Sequence, residues 1–104
     1  MVTLLNSPRL TTFGSYEYRL ISVEEARVLV REGFSSAIGH PGTAGALSKL
    51  LGVVVPEQRI SYRQMPGEQA IVFELIGRLP EGMVLGQDEI TRIDYRLGLL
   101  TRTL

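Results

Sequence analysis

The segment SVEEARVLVREG, residues 22 to 33, constrains the fold more than any other part of the chain. Ser22 and Glu25 have the spacing of a helix capping box, and Gly33 is a residue type that commonly ends a helix. Four apolar residues between them share one helical face: Val23, Ala26, Leu29 and Val30. The segment therefore predicts an amphipathic helix that buries one side against another element.

Short apolar segments before and after this helix predict β-strands. They are VTLL (2–5), the weakly alternating YEYRLI (16–21), FSSAIG (34–39) and YRLGLLTRTL (95–104). Two more, QRISYRQM (58–65) and QAIVFELIGRL (69–79), flank the turn residues PGE and predict an antiparallel hairpin. We therefore expect residues 1–104 to form a single α+β domain, with a mixed or antiparallel sheet flanked by helices.

Two further helices are expected beside the sheet. Thr43 is the predicted N-cap of AGALSKLLG (44–52), and Gly52 is predicted to end that helix. The residues expected to face the core from it are Leu47, Leu50 and Leu51. GQDEITRI (86–93) has acidic residues near its start, where they favour a helix, and predicts a short third helix.

The charge balance limits the partners that this chain can bind. Eleven basic and eleven acidic residues give a formal net charge of zero, which argues against a broad basic surface for long nucleic acid.

The longest apolar runs fall far short of the roughly 20 residues needed to cross a bilayer, so no membrane partner is expected. No export signal is evident at the N-terminus. We expect a cytoplasmic protein, in the host cytoplasm if the source is a virus.

Several common catalytic motifs are missing from the sequence. One histidine and no cysteine do not provide a usual zinc ligand set, so no metal site is expected. The chain has no Walker A motif and no G-x-G-x-x-G between a strand and a helix, so no nucleotide cofactor is expected. It also has no G-x-S-x-G. These absences weaken interpretations as a classical hydrolase, an NTPase or a dinucleotide enzyme.

The only histidine of the chain, His40, stands between a predicted strand and a predicted helix in GHPGTAGAL. Gly39 and Gly42 allow a close approach of the backbone, and amides at the start of a helix can bind an anion. A histidine beside such a site could give a proton to the leaving oxygen of a phosphate ester. The local pattern also fits a histidine that only caps or hydrogen-bonds a loop.

A second segment of interest, GRLPEGMVL (77–85), follows the longest predicted strand. Arg78 offers a planar fork to a phosphate, and Glu81 is near enough in sequence to orient that arginine or to accept a ribose proton. The same two residues also fit a surface ion pair in an ordinary loop. This segment indicates a function only in combination with the one around His40.

In combination, the order of LLN, SAIGHPGTAGALSKLLG, EQRI and RLPEGMVLGQDEI resembles the small viral ring nucleases that act as anti-CRISPR proteins against type III systems, and their bacterial relatives. The resemblance covers nearly the whole chain. Its most specific parts are AIGH with the following helix, and RLPEG about forty residues later. It implies a homodimeric α+β fold whose two subunits enclose cyclic tetra-adenylate and cut it without metal.

By this resemblance the catalytic residues are His40, Arg78 and Glu81. The resemblance further implies that Asn6 and Arg59 bind the ligand. Viral relatives carry a hydroxyl residue a few positions after the asparagine, whereas this chain has Ser7, Pro8 and Arg9, so either Ser7 or Arg9 is expected to meet the ribose or a phosphate. The glycine-rich helix start adds three further expected binding residues: Gly39, Gly42 and Thr43.

Two other functions remain open at this point: binding of the cyclic nucleotide without cleavage, and a structural or protein-interaction role.

For the enzyme, a dimer is expected because a ring of four identical nucleotides has a two-fold axis and is wider than the cleft of one small domain. Hydrophobic residues make up 44% of the chain. We expect this to leave strand faces such as GLLTRTL (98–104) that a monomer does not cover.

Overall fold

A computed structural model describes residues 2–7, 10, 12–60, 62–75 and 95–104. They form β1 (Val2–Leu5), β2 (Tyr16–Ile21), α1 (Val23–Arg31), β3 (Phe34–Ser36), α2 (Pro41–Leu51), β4 (Gln69–Leu75) and β5 (Tyr95–Arg102). The predicted helix at 86–93 lies outside the described residues. Neither α1 nor α2 is long and apolar enough to cross a membrane.

The five strands form one mixed sheet in the order β2-β5-β4-β1-β3. β1 lies parallel to β3 and to β4, whereas β5 lies antiparallel to β2 and to β4. The expected α+β fold with a mixed sheet is therefore confirmed. Because β1, β3 and β4 run in the same direction, their carboxyl ends meet at one edge of the sheet, which we call the carboxyl edge.

Helix α1 forms where the sequence predicts it. The Ser22 hydroxyl accepts the backbone N–H of Glu25 at 3.1 Å, as the capping-box pattern requires. Gly33 follows the helix with a φ of 112°, which only glycine adopts readily. Ala26 and Val30 are buried on the inner face. Local sequence signals therefore fix both the ends and the orientation of this helix.

Both helices cover the same face of the sheet. Residues of α1 and α2 share one core cluster with alternate residues of the strands, among them Leu4, Ala26, Val30, Leu47, Leu51, Ile71, Phe73, Leu97 and Leu99. A smaller cluster of Leu5, Ala70, Val72 and Leu100 has Tyr16, Ala37 and Tyr62 packed against it. Successive strand residues point to opposite faces, so the second cluster lies on the face away from the two helices.

The apolar residues of β5 do not need a partner subunit to cover them. Leu97, Leu99 and Leu100 are only 2–3% exposed, because β5 lies between β2 and β4 and contributes to both clusters. The expectation that a monomer leaves this strand uncovered is wrong. Leu104 is 73% exposed, but it lies beyond the strand, which ends at Arg102 rather than at the predicted residue 104.

The predicted hairpin of 58–65 and 69–79 is also wrong. None of the described residues in 58–65 is in a strand, and β4 pairs with β1 and β5 instead. Gln64 is completely buried, and its Nε2 donates to the carbonyl oxygens of Glu68 and Leu100 at 2.7 and 2.9 Å. Side-chain hydrogen bonds of this kind attach the segment to the sheet without a strand ladder.

The predicted strand FSSAIG (34–39) ends early, at Ser36. The Ser36 hydroxyl donates to the carbonyl oxygen of Pro56 at 2.7 Å and accepts the N–H of Ile38 at 3.3 Å. The N–H of Gln58 then donates to the Ile38 carbonyl at 2.8 Å. The chain after β3 therefore runs beside residues 56–58, a contact that brings the next residue, Arg59, to the carboxyl edge.

Candidate functional site

The predicted site residues that the structure describes lie mainly on two segments at the carboxyl edge. Asn6 and Ser7 come directly after β1 and are exposed, and Gly39 and His40 come shortly after β3. A backbone hydrogen bond of 2.9 Å continues the pairing of β1 and β3 one residue past the end of β3. The fold thus places these two segments next to each other, just beyond the ends of neighbouring strands at the carboxyl edge.

Three predicted site residues lie outside the described residues: Arg9, Arg78 and Glu81. Strand β4 also ends at the carboxyl edge, and its last residue is Leu75. The segment that contains Arg78 and Glu81 follows Leu75 in the sequence. The roles given to these three residues stay predictions.

His40 is the N-cap of helix α2. Its backbone is extended, and its Nδ1 accepts the backbone N–H of Thr43 at 3.3 Å. The hydroxyl oxygen of Thr43 lies 3.4 Å from the same nitrogen. Pro41 is the first helical residue, a position that suits its fixed φ. The prediction that Thr43 caps this helix is therefore wrong, since Thr43 already lies inside the first turn.

The capping role that the local pattern allowed for His40 is thus present, and it uses only one side of the ring. The side chain is half-buried. Within the described part of the chain, Nε2 makes no hydrogen bond. The ring is therefore fixed through Nδ1, and Nε2 is the ring nitrogen that the cap does not use.

Few amides at the start of α2 are free to bind an anion. Pro41 has no N–H, and the N–H groups of Thr43 and Ala44 are bonded to the side chain and the carbonyl of His40, at 3.3 and 3.0 Å. Gly42 is the remaining residue of this turn, and no described residue accepts its N–H. The expected anion-binding helix start is therefore reduced to one backbone donor beside the histidine.

Arg59 lies across the backbone next to His40. Its Nε donates to the carbonyl oxygen of Gly39 at 3.1 Å, while the side chain stays exposed. A Cβ atom built on Gly39 would lie 2.8 Å from Cγ of Arg59, closer than real Cβ contacts come. The glycine therefore lets the arginine stem lie on the backbone. Within the described residues the two terminal nitrogens of the guanidinium make no hydrogen bond, and such nitrogens are donors suited to an anion.

We expect Gly39→Ala to move Arg59 away from the site and weaken the binding of a phosphate ligand roughly 10-fold. That factor corresponds to one lost charge-assisted hydrogen bond. Calorimetry with cyclic tetra-adenylate, the ligand that the sequence resemblance implies, checks this result. Arg59→Ala is the matched background, because in it the alanine at position 39 has no arginine stem to displace. If Gly39→Ala weakened binding as much in that background, the effect would not act through Arg59.

The structure also reveals a polar group at the carboxyl edge that the sequence did not indicate. Arg96 forms an ion pair with Glu74, with an Nη2 to Oε1 distance of 2.9 Å, and Tyr18 donates to Glu74 at 3.1 Å. The hydrogen bond from Arg96, with a smaller contribution from Tyr18, lowers the pKa of the Glu74 carboxyl. Glu74 and Arg96 are opposite each other on β4 and β5, a pairing that cannot be read from local sequence.

The described residues contain no cluster of three or more histidine or acidic side chains that could hold a metal ion. In the part of the chain that the structure describes, His40 is bonded to Thr43 and not to a carboxylate. Immediately beside His40, the described residues therefore offer proton donation by the imidazole and hydrogen bonding by the Arg59 guanidinium and the Gly42 amide.

Comparison with known proteins places the chain in a family. A family model described as STIV B116-like matches residues 2–97. The chain belongs to the STIV B116-like family. The uncharacterized protein YddF of Bacillus subtilis (strain 168) is 35% identical over 104 residues, which cover 97% of this chain and 96% of that protein. The uncharacterized protein ORF117 of Acidianus two-tailed virus is 44% identical over 93 residues, which cover 86% and 80%.

A solved structure shares the fold of this STIV B116-like chain. B116 of Sulfolobus turreted icosahedral virus superposes with a TM-score of 0.75, covering 97% of this chain and 98% of that one, at 21% sequence identity. A likeness at this identity shows the fold alone. The two relatives described above come from a bacterium and from a virus.

Proposed function

We propose that this protein is a metal-independent ring nuclease that cleaves cyclic tetra-adenylate to linear di-adenylate. The reaction would switch off or evade type III CRISPR signalling in the cytoplasm of a cell or of a virus-infected host. The observation that carries the proposal is the placement of His40 at the carboxyl edge, fixed through Nδ1, with Nε2 unused by the cap. The choice of cyclic tetra-adenylate as the substrate rests on the resemblance of the sequence to ring nucleases.

Cleavage of an RNA linkage without metal uses the neighbouring 2′-hydroxyl as the nucleophile. The 2′-oxygen bonds to phosphorus, the bond from phosphorus to the 5′-oxygen breaks, and a 2′,3′-cyclic phosphate is left on one end. His40 gives the departing 5′-oxygen a proton from Nε2. Glu81 is our candidate to accept the proton of the 2′-hydroxyl. The protein must hold the attacking oxygen in line with the bond that breaks.

Charge on the phosphoryl oxygens requires donors that are already in place. The terminal nitrogens of Arg59 and the N–H of Gly42 are the described groups that can supply them beside His40. Arg78 is proposed to add a second guanidinium. Asn6, with Ser7 or Arg9, is proposed to hold the ribose or a neighbouring phosphate from the end of β1. A ligand with only four phosphates needs few such groups, which agrees with the zero net charge of the chain.

The proposed active form is a homodimer with two-fold symmetry. A cyclic tetranucleotide of identical units contains a two-fold axis, so two copies of one site can face opposite phosphates of a single ring. The argument for this dimer rests on the symmetry of the ligand, since the apolar faces of β5 are covered within one chain. Two sites for each ring would give two cuts.

We expect cleavage of cyclic tetra-adenylate to persist in excess EDTA, because the proposed mechanism uses only protein groups. Chromatography of the products should show linear di-adenylate as the end product and linear tetra-adenylate only transiently. Cyclic oligoadenylates of other ring sizes are the matched controls. A requirement for added divalent ion would contradict the mechanism, and accumulation of linear tetra-adenylate would contradict two coupled sites.

The second candidate is a structural or protein-interaction role, and the cap that His40 provides to α2 favours it. Such a protein would gain no thermal stability from cyclic tetra-adenylate, whereas a specific binder gains about 2.7 kcal/mol at a ligand concentration of 100 Kd. Stabilisation without any product would instead indicate a protein that binds the messenger and does not cut it. Linear tetra-adenylate is the control for nonspecific binding of RNA.

A further inference from the structure

We propose that Thr43 is a positioning residue that fixes the His40 ring in both of its charge states. Its backbone N–H lies 3.3 Å from Nδ1, and its hydroxyl oxygen lies 3.4 Å from the same nitrogen. Two groups of Thr43 thus face Nδ1: a backbone N–H, which can only donate a hydrogen bond, and a hydroxyl, which can donate or accept one. The catalytic part of this inference rests on the proposed function, but the state of the ring can be measured without any ligand.

In the neutral ring, the backbone contact determines which nitrogen carries the proton. A backbone N–H only donates, so the Nδ1 that accepts it must be unprotonated. Neutral imidazole has one protonated nitrogen, which is then Nε2. The free protein therefore holds His40 as the Nε2–H tautomer, with its N–H on the nitrogen that the cap does not use.

A ring that acts as a general acid must first gain a second proton, and that proton goes to Nδ1. Nδ1–H is then a donor that faces the N–H of Thr43, which cannot accept. Among the described residues, the acceptor next to Nδ1 is the Thr43 hydroxyl. A hydrogen bond from Nδ1–H to this hydroxyl keeps the imidazolium in place. When Nε2 gives its proton to the 5′-oxygen, the ring is left neutral with its one proton on Nδ1. Nε2 then takes a proton from solvent, and loss of the Nδ1 proton from the resulting imidazolium restores the resting Nε2–H tautomer.

The burial of Thr43 makes its hydroxyl hard to replace by water. Thr43 is 7% exposed, in the first turn of a helix whose next residues, Ala44 and Ala46, belong to the core. A donor that loses its acceptor in such surroundings stays unsatisfied. Removal of the hydroxyl should therefore affect the imidazolium, whereas the neutral ring keeps its bond to the backbone.

The resting tautomer can be measured directly because the chain contains a single histidine. Long-range ¹H–¹⁵N correlation spectra of untagged protein at about pH 8, where free imidazole is neutral, should show a protonated Nε2 and an unprotonated Nδ1. A predominant Nδ1–H tautomer, or an averaged mixture of the two, would overturn the first half of the inference.

Thr43→Val and Thr43→Ser test the second half. The valine variant should cleave cyclic tetra-adenylate about 10- to 100-fold more slowly in single turnover, as loss of a group that orients a catalytic residue commonly does. Because the Thr43 N–H and hydroxyl both lie against Nδ1, binding should stay within roughly threefold of wild type, and the serine variant should restore the rate. A larger loss of binding in the valine variant would return Thr43 to the ligand-binding role expected from the sequence and would overturn the positioning role. A valine variant as fast as the serine variant would exclude a role for the hydroxyl in catalysis.

The same variants separate this inference from the proposed function. In solution acidic enough to protonate the ring, the Nδ1–H proton of the imidazolium should have the downfield chemical shift of a hydrogen-bonded proton in wild type and in Thr43→Ser, and should lose that shift in Thr43→Val. If the wild type does not cleave the ring, the proposed function fails, but these spectra still decide how Thr43 holds the ring. Equal Nδ1–H chemical shifts in all three proteins would overturn the inference.

Discussion

His40→Ala is expected to slow single-turnover cleavage of cyclic tetra-adenylate by roughly 100- to 10,000-fold, the usual contribution of a positioned general acid. Binding of the intact ring should change far less, because the proton is needed only when the 5′-oxygen leaves. The same change also removes the N-cap side chain of α2, so the free energy of unfolding should fall by about 0.5–2 kcal/mol. Rapid-quench kinetics and urea denaturation measure the two effects separately.

His40→Asn is the matched control for the structural part of this loss. Asparagine is among the best N-cap residues, and its side-chain oxygen can accept the Thr43 N–H in place of Nδ1. The asparagine variant should therefore be about as stable as the wild type and as slow as the alanine variant. If it kept the wild-type rate, His40 would be a cap only, and the proposed mechanism would be wrong.

Phe73→Ala is expected to lower the free energy of unfolding by about 3–5 kcal/mol. Phe73 is 1% exposed in the core beneath the helices, and its ring stacks on Tyr95 with centroids 5.4 Å apart. Domains of this size are stable by only about 5–15 kcal/mol in total. Urea denaturation should show a lower midpoint concentration, while the slope of the free energy of unfolding against urea concentration stays unchanged.

Phe73→Leu provides the comparison for this core position. Leucine refills much of the space left by the phenyl ring. The free energy of unfolding should therefore fall by roughly half as much as in the alanine variant, or less. The two variants together distinguish loss of packing from loss of the aromatic stack with Tyr95 alone, which is worth about 0.5–1.5 kcal/mol. A loss below about 1 kcal/mol for Phe73→Ala would show that this position does not belong to a close-packed core.

The parts of the fold that the sequence predicted well depend on local signals. Ser22, Glu25 and Gly33 mark the ends of α1 within one short segment, and Gly52 ends α2 in the left-handed conformation that glycine prefers. The α+β class follows from such segments. The candidate histidine was found because the chain contains only one.

The parts that the sequence missed depend on contacts between distant segments. The 58–65 segment has the composition of a strand, but its attachment through the buried Gln64 side chain is visible only in three dimensions. The sequence misplaces the start of α2 because threonine is a common N-cap and histidine is not, although an unprotonated Nδ1 can accept the same backbone N–H. The contact of Arg59 with Gly39 depends on the path of residues 56–58.

The pairing of β4 with β5 has a consequence for how such a protein can change over time. Leu75 and Tyr95 are register partners, so the fold holds the two ends of the sequence between them side by side. In general, doubling the length of a flexible segment between two fixed ends costs only about 0.6 kcal/mol in chain entropy. A change in the number of residues between Leu75 and Tyr95 therefore need not disturb the pairing of β4 with β5.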